Sequence, residues 1–354
     1  MALLAPASEM AVQADEPAGH SGIPRPSALS EAADALRNAA LARIMAVSPH
    51  ERLPVRVLLE DLRTIAAASP HEAWVASGLG QALLEASIGA GRAERRQLLQ
   101  AGLELADAAP AAELAQALLR ACCHLAESTL HSRVARQTTS GGLSGPVPAG
   151  GGQRRVLAGL HGQLERASTG QPDSFVARSR RRATHLAPGS IGPRYVARDT
   201  SGNEVRSTDF IGTITLYRVW DANSPASVAA HRRDAELLRK YWDRPFELVG
   251  ISDADDRQAH VESLPAKGFG GIQIYDGPIG TELVDALARS GQSSTANVSR
   301  ALSAWHEPIA GTCILVDSRG VIRGRDLSHE ELDALILDLV NEHRQLLRQR
   351  EQGS

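Results

Sequence analysis

Apolar residues in the N-terminal part of the chain recur every three or four positions, which is the spacing of one helix face. Helix-ending and helix-starting residues interrupt the pattern: Ser30 precedes one apolar run, Pro70 and Gly91 separate later ones, and Pro110 stands in a first helical turn. The pattern predicts an all-helical domain over residues 27–137. Its helices are predicted at residues 30–47, 54–68, 71–90, 94–108 and 111–131. Their lengths vary without a fixed period, so no named repeat family is indicated.

Residues 138–152 read TTSGGLSGPVPAGGG, a composition that cannot bury a core. We predict a flexible linker there, and therefore few contacts between the two parts that it joins. A helix predicted at 154–167 belongs to a helical connector over residues 153–186. Residues 1–26 are predicted to be a disordered leader or the remnant of a signal, and residues 350–354 a short tail.

From about residue 187 the pattern changes to short β-branched runs that alternate with helical segments, which indicates an α/β domain over residues 187–349. Strands are predicted at residues 195–198, 214–219, 247–252, 273–275, 313–316 and 321–323. Helices are predicted at residues 225–242, 256–264, 298–304 and 328–349. Two predicted turns, at 200–203 and 317–320, are rich in the Asp, Asn and Gly residues that hairpin connections use.

The composition narrows the classes of function. The chain has 354 residues, of which 43% are hydrophobic, and this supports two packed domains. A net charge of −3 gives no basic surface for nucleic acid, and the Arg-rich runs at 178–182 and 344–350 are interpreted as solvated surface. No apolar run approaches the roughly 18 residues of a membrane span, so a soluble protein is expected. The three cysteines form no CxxC pair and no zinc-like cluster, so no cofactor or metal is expected.

The C-terminal half also carries a series of motifs in a fixed order. A D-x-x-G-x-x-V turn at 199–205 is followed by a D-F-x-G step at 209–212 and by a strand that ends in Trp at 213–220. A second apolar strand follows at 244–252, then a segment from Trp to Asp at 305–317 and a final hairpin at 320–323. Together these motifs resemble the TlpA-like proteins in the redoxin branch of the thioredoxin superfamily. The resemblance implies an α/β thioredoxin fold for the C-terminal domain, beside the all-α N-terminal domain.

The resemblance also locates a degenerate redox site. The family places a CxxC directly after the central strand, where a helix N-terminus stabilises the attacking thiolate. The two matching positions here are Ser224 and Ser227, and the position of the family's cis-proline is Gly311. A serine hydroxyl neither ionises at neutral pH nor forms a disulfide, so we predict no catalytic residue. A crevice at the carboxyl ends of the central strands, bordered by Ser224, Ser227 and Gly311, could still bind a ligand. The binding residues predicted there are Trp220, Asn223, Ser224, Pro225, Ser227, Gly311 and Thr312.

Several residues have both a functional and a structural interpretation. Ser224 before Pro225 is a favoured helix start, whereas a serine nucleophile would need a base such as His231 or the pair at 306–307. The acidic turn at 253–256 lacks the spacing of a calcium loop and is interpreted as a helix cap. Cys313 lies on an apolar strand and is expected to be a small buried residue rather than a redox thiol. At least one of Cys122 and Cys123 is expected to be a core residue, and a vicinal disulfide or a redox sensor is the alternative.

Two functions follow from these interpretations. The first is a redox-inactive thioredoxin-like module that binds or scaffolds a protein or peptide partner. The second is a thiol-disulfide oxidoreductase or peroxidase-like redoxin that uses a relocated cysteine. The family resemblance implies an exported or periplasmic location, and a cytoplasmic one stays open. A low-pKa exposed cysteine would distinguish the enzyme from the scaffold.

Overall fold

The structure, a computed structural model, describes residues 73–109, 112–138, 151–167, 174–222, 224–252, 261, 264, 268–276 and 310–352. Five described helices precede the sheet. They are α1 (Ala73–Ser87), α2 (Arg92–Asp107), α3 (Ala112–Thr138), α4 (Gly151–Ala167) and α5 (Ser174–His185). Leu98, Ala101 and Leu105 of α2 are buried at helical spacing. Leu98 and Leu105 share one core with Leu83 and Leu118 of the neighbouring helices. The helical character predicted for this region is confirmed.

Two helices approach each other closely at Gly102 of α2. A Cβ atom at this position would lie 2.7 Å from the Sγ atom of Cys122 on α3 and 3.2 Å from a methyl group of Leu83 on α1. Cys122 and Cys123 are both fully buried in the core that α3 and α4 share. The core interpretation of the two cysteines is therefore confirmed.

The C-terminal half forms a five-stranded sheet with further elements around it. The strands are β1 (Val196–Arg198), β2 (Glu204–Arg206), β3 (Ile214–Val219), β4 (Phe246–Ser252), β5 (Ile272–Tyr275), β6 (Cys313–Val316) and β7 (Ile322–Arg325), and the helices are α6 (Pro225–Lys240) and α7 (His329–Gln352). The sheet has the order β5-β4-β3-β6-β7. Strands β3, β4 and β5 run parallel, whereas β6 and β7 are antiparallel to their neighbours. Strands β1 and β2 form a separate hairpin.

Both faces of the sheet are covered. All six residues of β3 are buried, as expected for a central strand with packed elements on each side. Tyr217 and Val219 point to a core that includes Leu186 and residues of the β1–β2 hairpin. Leu216 and neighbouring side chains point to a second core with α6 and α7.

The predicted strands at 214–219 and 313–316 are confirmed to the residue. The short strand β2 and the helix α5 were not predicted as separate elements. Some predictions lie outside the described residues: the leader, the helices at 30–47, 54–68 and 298–304, and residues 139–150 of the linker. Of the predicted helix at 256–264, only positions 261 and 264 are described, and both are helical.

The helices pack directly against the sheet, and the expectation of few contacts is wrong. Glu127 of α3 is fully buried and forms an ion pair with Arg325 of β7, with 3.2 Å between Oε2 and Nη2. The same carboxylate pairs with Arg182 of α5 at 3.0 Å. Arg182 is only 1% exposed, which corrects the interpretation of the run at 178–182 as solvated surface. All described residues belong to one compact unit, and the exact domain limits stay predictions.

None of the described helices combines the length and the apolar stretch that a membrane crossing requires.

Candidate functional site at the end of the central strand

Trp220 directly follows the central strand β3, and its side chain is completely buried. Its ring stacks on His231 of α6, with 5.8 Å between centroids and an interplanar angle of 8°, and meets Phe269 edge to face at 4.6 Å. The Nε2 atom of His231 lies 3.2 Å from Oε1 of Gln273. Gly250 makes room for this pair, because a Cβ there would lie 2.2 Å from the same Gln273 oxygen. Trp220 is therefore fixed as part of the core.

His231 makes no hydrogen bond to Ser224 or Ser227, which a base for a serine nucleophile would need. Burial lowers the pKa of His231 to about 4, which makes the ring a weak base. Its Nε2 atom is engaged by Gln273, and its Nδ1 atom is buried with no hydrogen-bond partner. The other base considered, at positions 306–307, lies outside the described residues, as does the acidic turn at 253–256.

Ser224 and Ser227 stabilise the start of α6 through their hydroxyl groups. Ser224 is its N-cap residue, and its hydroxyl accepts a hydrogen bond from the backbone N–H of Ser227 at 3.2 Å. The Ser227 hydroxyl accepts one from the N–H of Asp221 at 3.0 Å. Ser224 is 1% exposed and Ser227 is 0% exposed. The cap interpretation of Ser224 followed by Pro225 is confirmed, because a side-chain cap with proline at the first position is a favoured helix start.

Glu85 of α1 reaches the same helix start from the helical part of the chain. Its carboxylate accepts hydrogen bonds from the Ser224 side chain and from the N–H of Ala226. Burial, with a smaller contribution from Asp221, raises the pKa of Glu85, although the two hydrogen bonds act to lower it. Its Oε2 atom is buried with no hydrogen-bond partner. A carboxylate thus lies where the resemblance places the redox thiolate, on the N–H groups at a helix N-terminus.

Gly311 faces the end of β3 and is also covered from the helical part. Its N–H donates to the carbonyl of Val219 at 2.8 Å, and the carbonyl of the next residue, Thr312, accepts from the N–H of Val219 at 2.9 Å. Its φ of +90° lies in the region that glycine tolerates best. A Cβ atom at Gly311 would lie 2.5 Å from side-chain carbons of Ile88. Ile88 therefore fills the space where a side chain at position 311 would stand.

A buried arginine fixes the Gly311 peptide. Arg218 of β3 is 3% exposed, and its Nη1 atom donates to the carbonyl of Gly311 at 2.7 Å. Its other nitrogens pair with both oxygens of Asp234 on α6, at 2.6 and 3.1 Å. A bidentate pair of this kind is a strong, directional contact. Sequence reasoning missed this residue, although an arginine inside an otherwise apolar strand was a signal for it.

The structure therefore brings together five of the predicted binding residues, Trp220, Ser224, Ser227, Gly311 and Thr312, and all the side chains among them are buried. Asn223 lies outside the described residues. Pro225 begins α6, but its side chain is not described. The predicted binding role of this set stays a prediction, and Glu85 and Ile88 cover two of its members, Ser224 and Gly311.

The three cysteines are free thiols, and all of them are buried. Burial raises the pKa of Cys122 to about 12 and also raises the pKa of Cys313. The expectation that Cys313 is a small buried residue is confirmed, since it is 1% exposed on β6. Among the described residues, no group of three or more His, Cys, Asp or Glu side chains could hold a metal ion.

The sheet order, the strand directions and a helix that starts directly after the central strand together define one known topology. The C-terminal half has a thioredoxin fold. This confirms the fold that the motifs predicted. No protein-family model matches the sequence, and a comparison with curated proteins also gives no match.

Solved structures that resemble the thioredoxin-like half include domains of disulfide-exchange proteins. The thioredoxin domain of a thiol-disulfide oxidoreductase from Bacteroides vulgatus is 19% identical, covers 44% of this chain and 99% of its own, and gives a TM-score of 0.35. A thiol:disulfide interchange protein from a Bacteroides species is 20% identical, with 45% and 93% covered and a TM-score of 0.36. A thiol-disulfide oxidoreductase from Bacteroides fragilis is 19% identical, with 42% and 99% covered and a TM-score of 0.32. At these identities the likeness concerns the fold alone.

Proposed function

We propose that this chain is a redox-inactive thioredoxin-like protein that acts as a binding or scaffolding module for a protein or peptide partner. The observation that carries the proposal is the chemistry at the start of α6. The resemblance assigns Ser224 and Ser227 to the positions of the family's thiols, and both hydroxyls accept hydrogen bonds from backbone N–H groups. A hydroxyl in this role stabilises a helix and offers no electrons for disulfide exchange.

The alternative enzyme would need a reactive thiol elsewhere. A reactive cysteine is exposed and has a lowered pKa, whereas Cys122 and Cys313 are buried and have raised pKa values. Cys123 is equally buried. These observations weigh against a relocated redox centre and favour the binding module.

Glu85 and Ile88, which we call the cover, constrain how a partner could bind at Ser224 and Gly311. Glu85 and Ile88 come from α1 and the residue after it, and they occupy the space beside Ser224 and Gly311. A partner that uses the crevice must therefore displace this cover. A partner that binds another surface leaves the cover in place. We propose that α1 serves as the resident occupant of the crevice.

The redox part of the proposal is tested on the full chain with insulin reduction by dithiothreitol and with peroxide decomposition. We expect no rate above that of dithiothreitol alone, with a dithiol thioredoxin as the positive control. Activity that disappears in Cys313→Ser, or in Cys122→Ser/Cys123→Ser, would establish the enzyme instead.

The binding part is tested by comparing the wild type with Glu85→Lys. A lysine beside the positive end of α6 should loosen the cover without touching the sheet core. A partner that uses the crevice should bind the variant more tightly, and one that uses another surface should bind both equally. The failure of both forms to bind any protein or peptide specifically would contradict a binding role.

A further inference from the structure

Helices α4 and α5 concentrate positive charge on one surface of the molecule. Five of their arginines are exposed: Arg154, Arg155 and Arg166 on α4, and Arg180 and Arg181 on α5. The two helices are in contact, so these side chains belong to one surface, which we call the arginine face. Helix α4 carries a net charge of +2 and α5 one of +4, so the rest of the chain, within a total of −3, carries −9. The arginine face therefore differs in sign from the rest of the chain.

The two helices themselves supply one carboxylate for these charges. Glu165 is the only acidic residue in the sequence of either helix. Its Oε1 atom lies 2.9 Å from Nη1 of Arg180, and the two side chains are 43% and 55% exposed, respectively. Within the described part of the chain, no carboxylate lies at ion-pair distance from the other four arginines of the face. Their charges are thus open to a partner.

The stability of α4 does not explain two of these arginines. The helix begins at Gly151 and has no acidic residue in its first turn, whereas Arg154 and Arg155 lie at the end of that turn and directly after it. Because the macrodipole makes a helix N-terminus positive, a cation near this end is unfavourable. Arg166 lies in the last turn, where a cation is favourable. Two arginines placed against the dipole indicate a role in binding rather than in folding.

The surface between the arginines of α4 is low and open. Gly159 follows Arg155 by four residues and precedes Arg166 by seven, so the three share one side of the helix. A Cβ atom at Gly159 would meet nothing within 4 Å. The distance along the helix axis from Arg155 to Arg166 is about 16 Å. An extended peptide of about five residues spans the same distance.

The composition of the face favours an acidic peptide over other polyanions. Single-stranded nucleic acids are held by exposed aromatic rings as well as by cations, but Phe175, the one Phe, Tyr or Trp of the two helices, is partly buried and meets His124 edge to face. Membrane surfaces are bound by apolar side chains beside the cations, and Val156 is the one large apolar side chain exposed on these helices. A long polyanion would also meet the negative charge of the rest of the chain.

We propose that the arginine face of α4 and α5 binds an acidic segment of the protein partner. This inference rests on the proposed binding function and adds to it the surface and the chemistry of the partner. Guanidinium groups form charged, paired hydrogen bonds with carboxylates, so Asp or Glu side chains spaced along the segment would satisfy them. None of the arginines belongs to the crevice, so a partner bound here leaves the cover in place.

The test uses the purified full chain and a fluorescent oligoglutamate peptide of about eight residues, which is long enough to span the face. Binding is followed by fluorescence anisotropy. We expect one saturable site per chain, and an affinity that falls as the ionic strength rises from about 0.01 to about 0.15 M, because the Debye length shrinks from about 30 to about 8 Å. An oligouridylate of equal charge and vesicles that contain phosphatidylserine should both bind more weakly than the peptide.

Paired variants locate the site. Arg155→Gln/Arg166→Gln should weaken peptide binding at least about fivefold, because it removes two ion pairs with the peptide. Arg239→Gln/Arg348→Gln is the matched control, because it removes two exposed arginines from α6 and α7 instead. The control should bind the peptide as the wild type does.

Three results would overturn the inference: no saturable binding of the peptide, equal affinities of the two double variants, or tighter binding of the oligouridylate or the vesicles than of the peptide. If Arg155→Gln/Arg166→Gln fails to fold, as judged by circular dichroism, Arg154→Gln/Arg181→Gln tests the same face through different side chains. The proposed function is judged separately, by the insulin assay and by the Glu85→Lys comparison. A failed peptide titration would therefore remove the arginine face as the docking surface and leave the binding module to those experiments.

Discussion

Glu127→Gln should destabilise the whole chain, because Glu127 is the one carboxylate that both Arg182 and Arg325 share in the described residues. Its two oxygens accept from Arg182 at 3.0 and 3.2 Å, from Arg325 at 3.2 Å and from the hydroxyl of Ser179 at 2.5 Å. Glutamine keeps the volume but loses the charge and one acceptor oxygen. Breaking a buried ion pair by removing one partner costs about 3–5 kcal/mol. That loss is a large fraction of the roughly 5–15 kcal/mol by which folded proteins are stable.

The pH dependence gives an independent measure of the same interaction. Burial acts to raise the pKa of Glu127, but the charges of Arg325 and Arg182 outweigh it and lower the pKa to about 2, from an ordinary 4.5. A shift of this size corresponds to about 3 kcal/mol, which agrees with the estimate for the broken pair. Since the folded-state pKa is depressed, the stabilisation is complete above about pH 4.5 and is lost as the pH falls toward 2. The Gln variant should lack this part of the acid dependence.

The assay is urea unfolding of the full chain, followed by circular dichroism and by tryptophan fluorescence. We expect the two signals to change together, because the ion cluster joins the helices to the sheet. Glu113→Gln is the control: Glu113 lies in the first turn of the same helix but is exposed, so its loss should cost at most about 1 kcal/mol. A Glu127→Gln variant within about 1 kcal/mol of the wild type would refute the reasoning.

Three further predictions follow from the site. Gly311→Ala should unfold at a lower urea concentration than Gly212→Ala. Both positions have a positive φ, at +90° and +98°, which alone costs about 1–2 kcal/mol, but only a Cβ at position 311 would contact Ile88. Equal unfolding midpoints would refute that contact. All three cysteines should react with a disulfide reagent only as fast as the chain unfolds, and rapid labelling in the folded state would contradict their burial. Ser224→Cys should give a thiol whose pKa is ordinary or raised. Adding Glu85→Gln should increase the thiolate fraction of that cysteine about tenfold at pH 7, as measured by thiolate absorbance. No increase would mean that Glu85 does not act on this position.

The sequence was enough to predict the elements whose signal is local. Strands β3 and β6 were predicted to the residue, because β6 is an unbroken run of apolar residues and β3 is a run of apolar and β-branched residues that only Arg218 interrupts. The start of α6 was predicted for the same reason, since a serine followed by a proline is a cap signal that needs no other part of the chain. By contrast, β2 has only three residues, and two of them are charged and exposed.

Contacts between distant parts of the chain could not be predicted in this way. The arginines of α5 suggested a solvated surface, and only the tertiary structure shows that Arg182 meets Glu127 in the core. Glu85 lies in an apolar stretch of α1 between Leu84 and Ala86, and nothing in that stretch indicates which helix end its carboxylate meets. The motifs predicted a degenerate site at Ser224, Ser227 and Gly311, but they gave no sign of Glu85 and Ile88, which contact it.

The contacts that Glu85 and Ile88 make are physically consistent with serines, rather than cysteines, at positions 224 and 227. The N–H groups at the start of α6 can stabilise one anionic or hydrogen-bonding group, and the Glu85 carboxylate already uses them. A thiolate at position 224 would compete with that carboxylate and would feel its negative charge, so its pKa would rise and its reactivity would fall. Ile88 crowds a side chain at position 311, and the φ of +90° there is incompatible with proline, whose ring fixes φ at about −65°. The same short segment of α1 and its following turn therefore opposes both halves of the predicted redox site, and cysteines introduced at 224 and 227 would remain poor catalysts until that segment is removed.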